Sequence, residues 1–454
     1  MVGRRDWLKG LASGAAGLLA GVARGQDDGE SSHSGSASRD LTIVDLKITP
    51  IALPDPPILA ASGCHGPYFL RNIVEVRTAD GLVGVGETVG GVERTVALRE
   101  LREHLVGTSA FAYRQWRDRP DADLRVYAGI ELACLDAIGK ALDVSLSNLL
   151  GGAVRNEVEF GAYLFYRYAA DDPRVLDDER IVDDRGQGDR ALDQWGEVRT
   201  PDAMAEMAWQ FHQNWGFTHQ KLKAGVLSPE QELETLRAIN ARFNGQAPLR
   251  IDPNGRWTKE TAIQIGRAMV DLPMEYYEDP VVGQAAMGEV RQETGLPMST
   301  NACVTTFDHI PEAVETRPID VVLCDHHYWG GIPACQSLGT LASSLGWSLS
   351  QHSNNHAGIT MAAMVHVGAL IPVLTHPSDT HYPWLIEGAD IIEGPNLKFS
   401  GGKLTIPERP GIGVALDRDK LARAHETYKK CGMRSRDDAA LMQRIEPAWE
   451  RLLF

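Results

Sequence analysis

Six cysteines in 454 residues, none in a Cys-x-x-Cys pair, leave this chain without the spacing of a zinc ribbon, a redox dithiol or a disulfide framework. Cys64, Cys134, Cys303, Cys324, Cys335 and Cys431 read instead as small buried apolar residues. No apolar run reaches the ~20 residues of a membrane span, and the candidate at 11–22 is too short. Positive charge is in deficit, with 45 Lys and Arg against 61 Asp and Glu, for a net charge of −16. That balance argues against nucleic acid or an anionic membrane as partner. It also means that an anionic substrate would need a locally cationic site, supplied by a metal or by lysines. Gly84-x-Gly86 lies between strand-like runs with no helix opening at the glycines, which excludes a dinucleotide loop. The apolar fraction, 43%, is ordinary for a globular protein and sufficient to bury a full core.

What the chain does have is a reactive side chain at an almost fixed interval. Lys223, Asp252, Glu278, Asn301, Asp325 and His352 each close a short apolar run, as in "LRIDP", "DVVLCD" and "WSLSQH". Subtracting successive residue numbers gives steps of 29, 26, 23, 24 and 27, about the length of one strand–helix unit. One reactive group at the C-terminal end of each strand is the pattern of a (β/α) barrel, whose active site lies on that face.

Length supports a barrel of ~250 residues plus a second unit. Residues 41–155 read as an α+β capping domain, with a hairpin turn at Ala79-Asp80-Gly81 and a buried helix over 129–142. Residues 156–395 read as the barrel, in which Thr200-Pro201-Asp202, Ser228-Pro229-Glu230 and Thr258 start helices and Gly346 ends one. A last strand is expected near 372–375. Residues 396–454 form a tail, in which "LKFSGGKLTI" is expected to be a hairpin, packing back on the first domain to complete it. The expected class is α/β, a (β/α)7β TIM-type barrel with an N-terminal α+β capping domain. Ahead of these, Arg4-Arg5 before the apolar run 11–22 suggests a twin-arginine signal over 1–25, with 26–40 a disordered linker. The precursor would then meet the twin-arginine export machinery, and the mature protein would be periplasmic or otherwise exported, with no membrane attachment.

Asp252, Glu278 and Asn301 offer three oxygen donors from successive strand ends, a hard donor set that favours Mg2+ over zinc. Lys221 and Lys223 share a strand face, since side chains alternate with period two. Like charges in a partly desolvated pocket are expected to depress each other's pKa and make one lysine a usable base. Asp325 and His352 occupy the next two strands, where a carboxylate would fix the imidazole tautomer and raise its basicity. Two bases facing each other across a metal suit proton abstraction next to a carboxylate, the metal and Lys221 holding the enediolate.

"KLK", "DPNG", "EDP", "TN", D-x-H-x-W and "HSNNH", in this order and spacing, resemble the enolase superfamily and, more closely, its glucarate dehydratase family. The similarity runs from about Ser62 to Gln443 and includes "HGPYFLRNIV", "YLFY", "DTHYPW" and "SRDDA". The resemblance implies Mg2+ on Asp252, Glu278 and Asn301, with Lys223 as the base on one face of the substrate. His352, paired with Asp325, would serve the other face and protonate the departing β-hydroxyl. Lys221 would contact the reacting carboxylate, and His65, Tyr163, Asn254, Ser353, Asn354, His381 and Arg436 would hold the sugar acid. His65 and Arg436 lie outside the barrel, so the first domain and the tail would close the site. Ala60-Ala61 stands where the family tends to have Asn-Leu, and His326 replaces the family's proline. The expected reaction is Mg2+-dependent dehydration of an aldarate, D-glucarate to 5-dehydro-4-deoxy-D-glucarate, by a homo-oligomeric carbon–oxygen lyase.

Alternatives are another sugar-acid dehydratase or epimerase on the same scaffold, or a non-catalytic exported sugar-acid binder. A zinc hydrolase using His352 and His356 is disfavoured, because no His-x-His closes the first barrel strand.

Overall fold

The strand-like residues after Leu41 build a three-stranded antiparallel sheet in the computed structural model, which describes residues 39–119, 122–182 and 195–454. The expected export signal and all but the end of the linker lie outside the described residues. Strand β1 (Ile43–Pro54) pairs with β2 (Tyr68–Thr78), and β2 pairs with β3 (Val83–Val89). At the predicted turn, the Gly81 N–H donates to the Thr78 carbonyl at 3.0 Å with φ of +88°, a conformation open to glycine. Helix α1 (Val92–Glu100) follows the sheet. Helix α2 (Leu124–Leu142) then packs on it, buried continuously from Val126 to Gly139. A Cβ on Gly84 would stand 1.9 Å from the Ala133 carbonyl oxygen, and one on Gly86 2.1 Å from that of Gly129. The Gly-x-Gly pair therefore exists to bring β3 and α2 into contact.

Seven strands follow in one parallel sheet, hydrogen-bonded in chain order. They are β4 (Ala162–Phe165), β5 (Gln220–Lys223), β6 (Leu249–Asp252), β7 (Met274–Glu278), β8 (Met298–Thr300), β9 (Val321–Cys324) and β10 (Ser348–Gln351). Between them run α3 (Pro201–Trp215), α4 (Pro229–Arg242), α5 (Lys259–Ala268), α6 (Gln284–Thr294), α7 (Ile310–Thr316) and α8 (Ile332–Leu345). The cap signals work as read. Thr200, Ser228 and Thr258 accept from first-turn N–H groups, Ser228 within a capping box closed by Gln231, and Gly346 ends α8 in the left-handed region.

The ring closes through residues 373–379 rather than through a regular eighth strand. The Leu349 N–H donates to the Val373 carbonyl and the Asp379 N–H to that of Gln351, both at 2.9 Å. On the other edge the Ser378 N–H donates to the Glu159 carbonyl and the Gly161 N–H to that of Ser378. Pro372 and Pro377 lack the N–H groups that a continuous ladder requires.

Helix α9 (Gly358–Leu370) follows β10 and is buried along its whole length. The tail differs from expectation. Only the tip of the expected hairpin forms, Ser400 and Lys403 exchanging backbone hydrogen bonds at 2.9 and 3.1 Å, and Lys403–Thr405 then pairs antiparallel with Glu157–Glu159 at the foot of the barrel. Its neighbours Gly401 and Gly402 have left-handed φ, and the Gly402 N–H reaches the Trp215 carbonyl. Contact with the first sheet comes from α10 (Arg418–Lys430), where His425 Nδ1 lies 2.7 Å from the Pro50 carbonyl and Arg418 pairs with Glu75. Helix α11 (Asp438–Ile445) ends the chain's regular structure. Among the described residues no helix is long and apolar enough to cross a membrane.

Candidate active site

Lys221 and Lys223 end β5, Asp252 ends β6 and Glu278 ends β7, while Asn301, Asp325 and His352 directly follow β8, β9 and β10. The C-terminal rim thus carries all seven, and Lys221, Asp252 and Glu278 are almost completely buried beneath it. Lys221 Nζ donates to Glu278 Oε2 and to Asp379 Oδ2, each at 2.6 Å, and lies 3.8 Å from Asp252 Oδ2. Lys223 Nζ donates to Asp252 Oδ2 at 2.5 Å and to Asn254 Oδ1 at 2.9 Å. Two non-glycine residues here have positive φ, Asn254 at +56° and Asp279 at +35°. Strain of this kind persists where the surroundings over-determine it. The Asn254 N–H is held by Asp252 Oδ1, and Asp279 accepts from Thr300 Oγ1 and the Asn301 N–H.

The carboxylates at this rim crowd one another. Burial, reinforced by the charges of Asp252 and Asp379, pushes the Glu278 carboxyl well above its usual range. Burial and the charge of Asp252 push Asp279 up to about 7. Asn301 holds one amide atom 3.2 Å from Glu278 Oε1 and 2.9 Å from Asp279 Oδ2, and the other 2.9 Å from His352 Nε2. With nitrogen toward the carboxylates the amide donates to both. With oxygen toward them it stands 3.2 Å from Glu278 Oε1, a further hard donor of the kind a divalent ion takes. All-oxygen chemistry, carboxylates crowded against one ammonium and an amide able to present its oxygen together fit Mg2+.

The expected depression of one lysine by the other is outweighed. Burial lowers both, but Asp379 and Glu278 lift Lys221 well above its ordinary value, and Asp252 likewise raises Lys223. Carboxylates at 2.5–2.6 Å outweigh the neighbouring ammonium. Asp252 is itself held low by Lys223 and Lys221, in spite of burial.

His352 and Asp325 form the predicted pair, Nδ1 to Oδ2 at 3.0 Å. The other Asp325 oxygen accepts from the backbone N–H of His327 at 2.8 Å and lies 3.0 Å from its Nδ1. Burial alone would raise the Asp325 carboxyl, but the two imidazoles hold it well below its usual range. Donor atoms of Asp325, His326 and His327 lie within 4.8 Å of one another, a spacing compatible with a metal. Both Asp325 oxygens are already engaged by His352 and His327, so this group is a hydrogen-bonded support for the base.

A cavity of about 230 Å³ opens over this rim. Its walls include Lys223, Asn254, Asn301 and His352, together with His65, Tyr163, Ser353, Asn354, His381 and Arg436. Every substrate-contact residue singled out in the sequence except Lys221 therefore meets one space. Lys221 lies beneath, 4.9 Å from the centre of the Tyr163 ring that forms the wall. Burial and the surrounding imidazoles hold His381 well below the ordinary histidine pKa, and its backbone N–H donates to Ser353 Oγ at 3.0 Å. Arg436 is clamped by Asp438, with Nε to Oδ1 at 2.5 Å and Nη2 to Oδ2 at 2.7 Å, and it also reaches Asn355 and His65.

Several residues of the site escaped the sequence reading: Asp379 beneath the cavity, and Tyr328 and Arg451 in its wall. Asp379 anchors Lys221 and stands in "DTHYPW", and Tyr328 stands within D-x-H-x-W, so motif position was available as a signal. Arg451, near the chain end, carried none; it lines the same cavity as Ala60 and Ala61.

Comparison with known proteins follows the same outline. Residues 45–151 match the family model of the mandelate racemase / muconate lactonizing enzyme N-terminal domain, and residues 203–420 match the enolase C-terminal domain-like model. A Streptomyces coelicolor protein named "Probable glucarate dehydratase" is 42% identical over 91% of this chain and 98% of its own length. An arabinonate dehydratase from Saccharolobus solfataricus is 24% identical over 78% of this chain and 89% of its own. The crystal structure of an enolase from Pseudomonas fluorescens with bound magnesium, potassium and tartrate superposes with a TM-score of 0.83 at 37% identity, covering 92% of this chain and 99% of that one. One from Thermobispora bispora, with magnesium and formate, gives 0.83 at 40% identity, covering 90% and 98%.

Proposed function

The chain belongs to the enolase superfamily, in its glucarate dehydratase-like group, and on that premise we propose that it dehydrates D-glucarate to 5-dehydro-4-deoxy-D-glucarate with Mg2+ as cofactor. The observation that carries this reading is the pair of unlike bases, Lys223 and His352, lining one small polar cavity from strands five positions apart in the sheet. Asp252, Glu278 and Asn301 would hold the ion, which when bound supplies positive charge to a carboxylate that gains negative charge as its α-proton leaves.

The remaining work belongs to the chain. Lys221, pinned by Glu278 and Asp379, presents a fixed ammonium near the reacting carboxylate. Asp252, which raises Lys223 here, is one of the residues that would hold the ion; with that carboxylate shared, Lys223 would remove the α-proton from one face and His352 Nε2 from the other, according to the configuration of that carbon. The Asp325 carboxylate keeps the His352 proton on Nδ1 and leaves Nε2 free to accept. When His352 is the base, its Nε2 returns that same proton to the β-hydroxyl, which departs as water. When Lys223 is the base, His352 would have to enter as imidazolium and give its own Nε2 proton to the hydroxyl, and in both cases the enol left behind becomes the 2-keto acid. His65, Asn254, Ser353, Asn354, His381 and Arg436 bind the hydroxyls and the distal carboxylate and exclude water.

Loss of water also fits the residues better than epimerisation alone, since the histidine stands ready as an acid for the hydroxyl as well as a base. The test is to incubate the purified protein and Mg2+ with a panel of aldarates and aldonates and follow 2-keto acid formation. D-Glucarate is expected to turn over fastest. Turnover confined to an aldonate would replace this substrate, and proton exchange without a keto product would replace dehydration by epimerisation.

A further inference from the structure

Beside the catalytic cavity lies a larger one, about 510 Å³, between the first sheet, the start of α2 and the tail. Its walls carry Arg71, Arg94, Arg125, Arg434 and Arg436 against one acid, Glu93. In a chain of net charge −16, five arginines around one concavity need a reason.

Three of the five are committed. Arg71 donates to the buried Glu87 at 2.7 Å, Arg436 is clamped by Asp438, and Arg94 approaches Asp123 at 3.3 Å. The Arg94 contact, Nε to Asp123 Oδ2, is an ion pair without hydrogen-bond alignment. Arg125 and Arg434 have no carboxylate partner among the described residues. Arg125 lies over the Tyr328 ring, 4.3 Å from its centre. Arg434 uses Nη1 on the carbonyls of Tyr428 and Met433, and its backbone carbonyl accepts from the Val92 N–H at 2.8 Å. Guanidinium groups held in place without counter-ions recognise carboxylates, often two-pronged.

The two cavities share a wall. Tyr328, Asn354 and Arg436 line both. Asn354 Nδ2 donates to Tyr328 Oη at 2.9 Å, and the Tyr328 ring meets the His352 ring edge-on at 5.3 Å. One aromatic side chain therefore separates Arg125 from the proposed catalytic histidine.

We propose that this outer cavity is a second anion site, which takes a small dicarboxylate on Arg125 and Arg434 next to the catalytic cavity. The occupant is either the enzyme's own acid sugar, a choice that rests on the function proposed above, or a diacid of another kind.

The test is calorimetric titration of the Mg2+-loaded protein with tartrate, which requires no turnover. Two classes of site are expected per chain, the outer one weakening as salt rises. The Arg125→Gln/Arg434→Gln variant should weaken the outer class at least tenfold and leave the inner one in place. A Lys221→Met variant should do the reverse. Titration of the Lys223→Gln/His352→Gln variant with D-glucarate then separates the two sources. Tighter outer binding of D-glucarate than of tartrate makes the site a waiting place for substrate, and equal binding makes it a general dicarboxylate site. A single class of site in the unmodified protein, or an outer class that the double arginine variant leaves unchanged, would overturn the proposal. The variant's far-ultraviolet dichroism and melting temperature show whether it has folded.

Discussion

Replacing Asp325 with asparagine should disable His352 as a base while leaving the fold intact. Both Asp325 oxygens act as acceptors, Oδ2 toward His352 Nδ1 and Oδ1 toward the backbone N–H and Nδ1 of His327. An amide has one acceptor oxygen. Two donors on His327 against one on His352 draw that oxygen to His327 and turn the NH2 group toward His352 Nδ1. Nδ1 must then accept, so the imidazole proton moves to Nε2, the atom that faces Asn301 and the cavity. A base already protonated at its working atom cannot take the substrate proton. General-base catalysis contributes ~10²–10⁴ in rate, so kcat should fall by that factor, equivalent to about 3–5 kcal/mol of barrier. Steady-state 2-keto acid formation measures the loss, and deuterium exchange at the α-carbon in D2O measures it face by face. Exchange on the Lys223 side should survive within a few fold. A kcat within threefold of the parent, or equal loss of exchange on both faces, would refute the tautomer argument.

Other consequences are open to measurement. Asn301→Ala should weaken Mg2+ binding at least tenfold, about 1.4 kcal/mol, in a titration without substrate; unchanged affinity would remove Asn301 from the ligand set. Arg71→Met strands the buried Glu87, whose carboxyl Arg71 holds below its ordinary value against burial. The cost of about 3–5 kcal/mol corresponds to a melting point lower by about 4–6 °C for some 400 folded residues. With its counter-ion gone, Glu87 has a raised folded pKa, so the penalty is full near pH 8 and shrinks toward the ordinary carboxyl pKa; an equal loss at pH 5 and pH 8 would count against it. Glu131, which joins Tyr127 to the N–H of Ile332, is pushed up to about 7 by burial. Because its folded pKa exceeds the unfolded value of about 4.3, stability is lost as pH rises from there to 7. Glu131→Gln should therefore gain on the parent by roughly 3 kcal/mol between pH 5 and pH 8 in denaturant titrations; a constant difference across that range would be the contrary result.

The parts of this protein that follow from neighbours in the chain were legible. Caps at Thr200, Ser228 and Thr258 depend on side chains within three residues, and the spacing of Lys223, Asp252, Glu278, Asn301, Asp325 and His352 reflects the length of one strand–helix unit. The period-two alternation that puts Lys221 and Lys223 on one face is equally local. Gly84 and Gly86 were separable from a nucleotide loop by context alone, though only the packed structure shows α2 lying against them.

What required tertiary structure is every property set by a partner far away in sequence. Lys221 answers to Glu278 and Asp379, so its charge state could not be judged from the lysine two residues along. The tail strand pairs with residues some 246 positions earlier (404 less 158), and Arg451 reaches the cavity from the other end of the tail. Residue type and strand period act within a few residues and determined the chemistry that each strand end could offer. Electrostatic environment, cavity shape and closure of the ring act through space, and folding alone decided which carboxylate faces which cation.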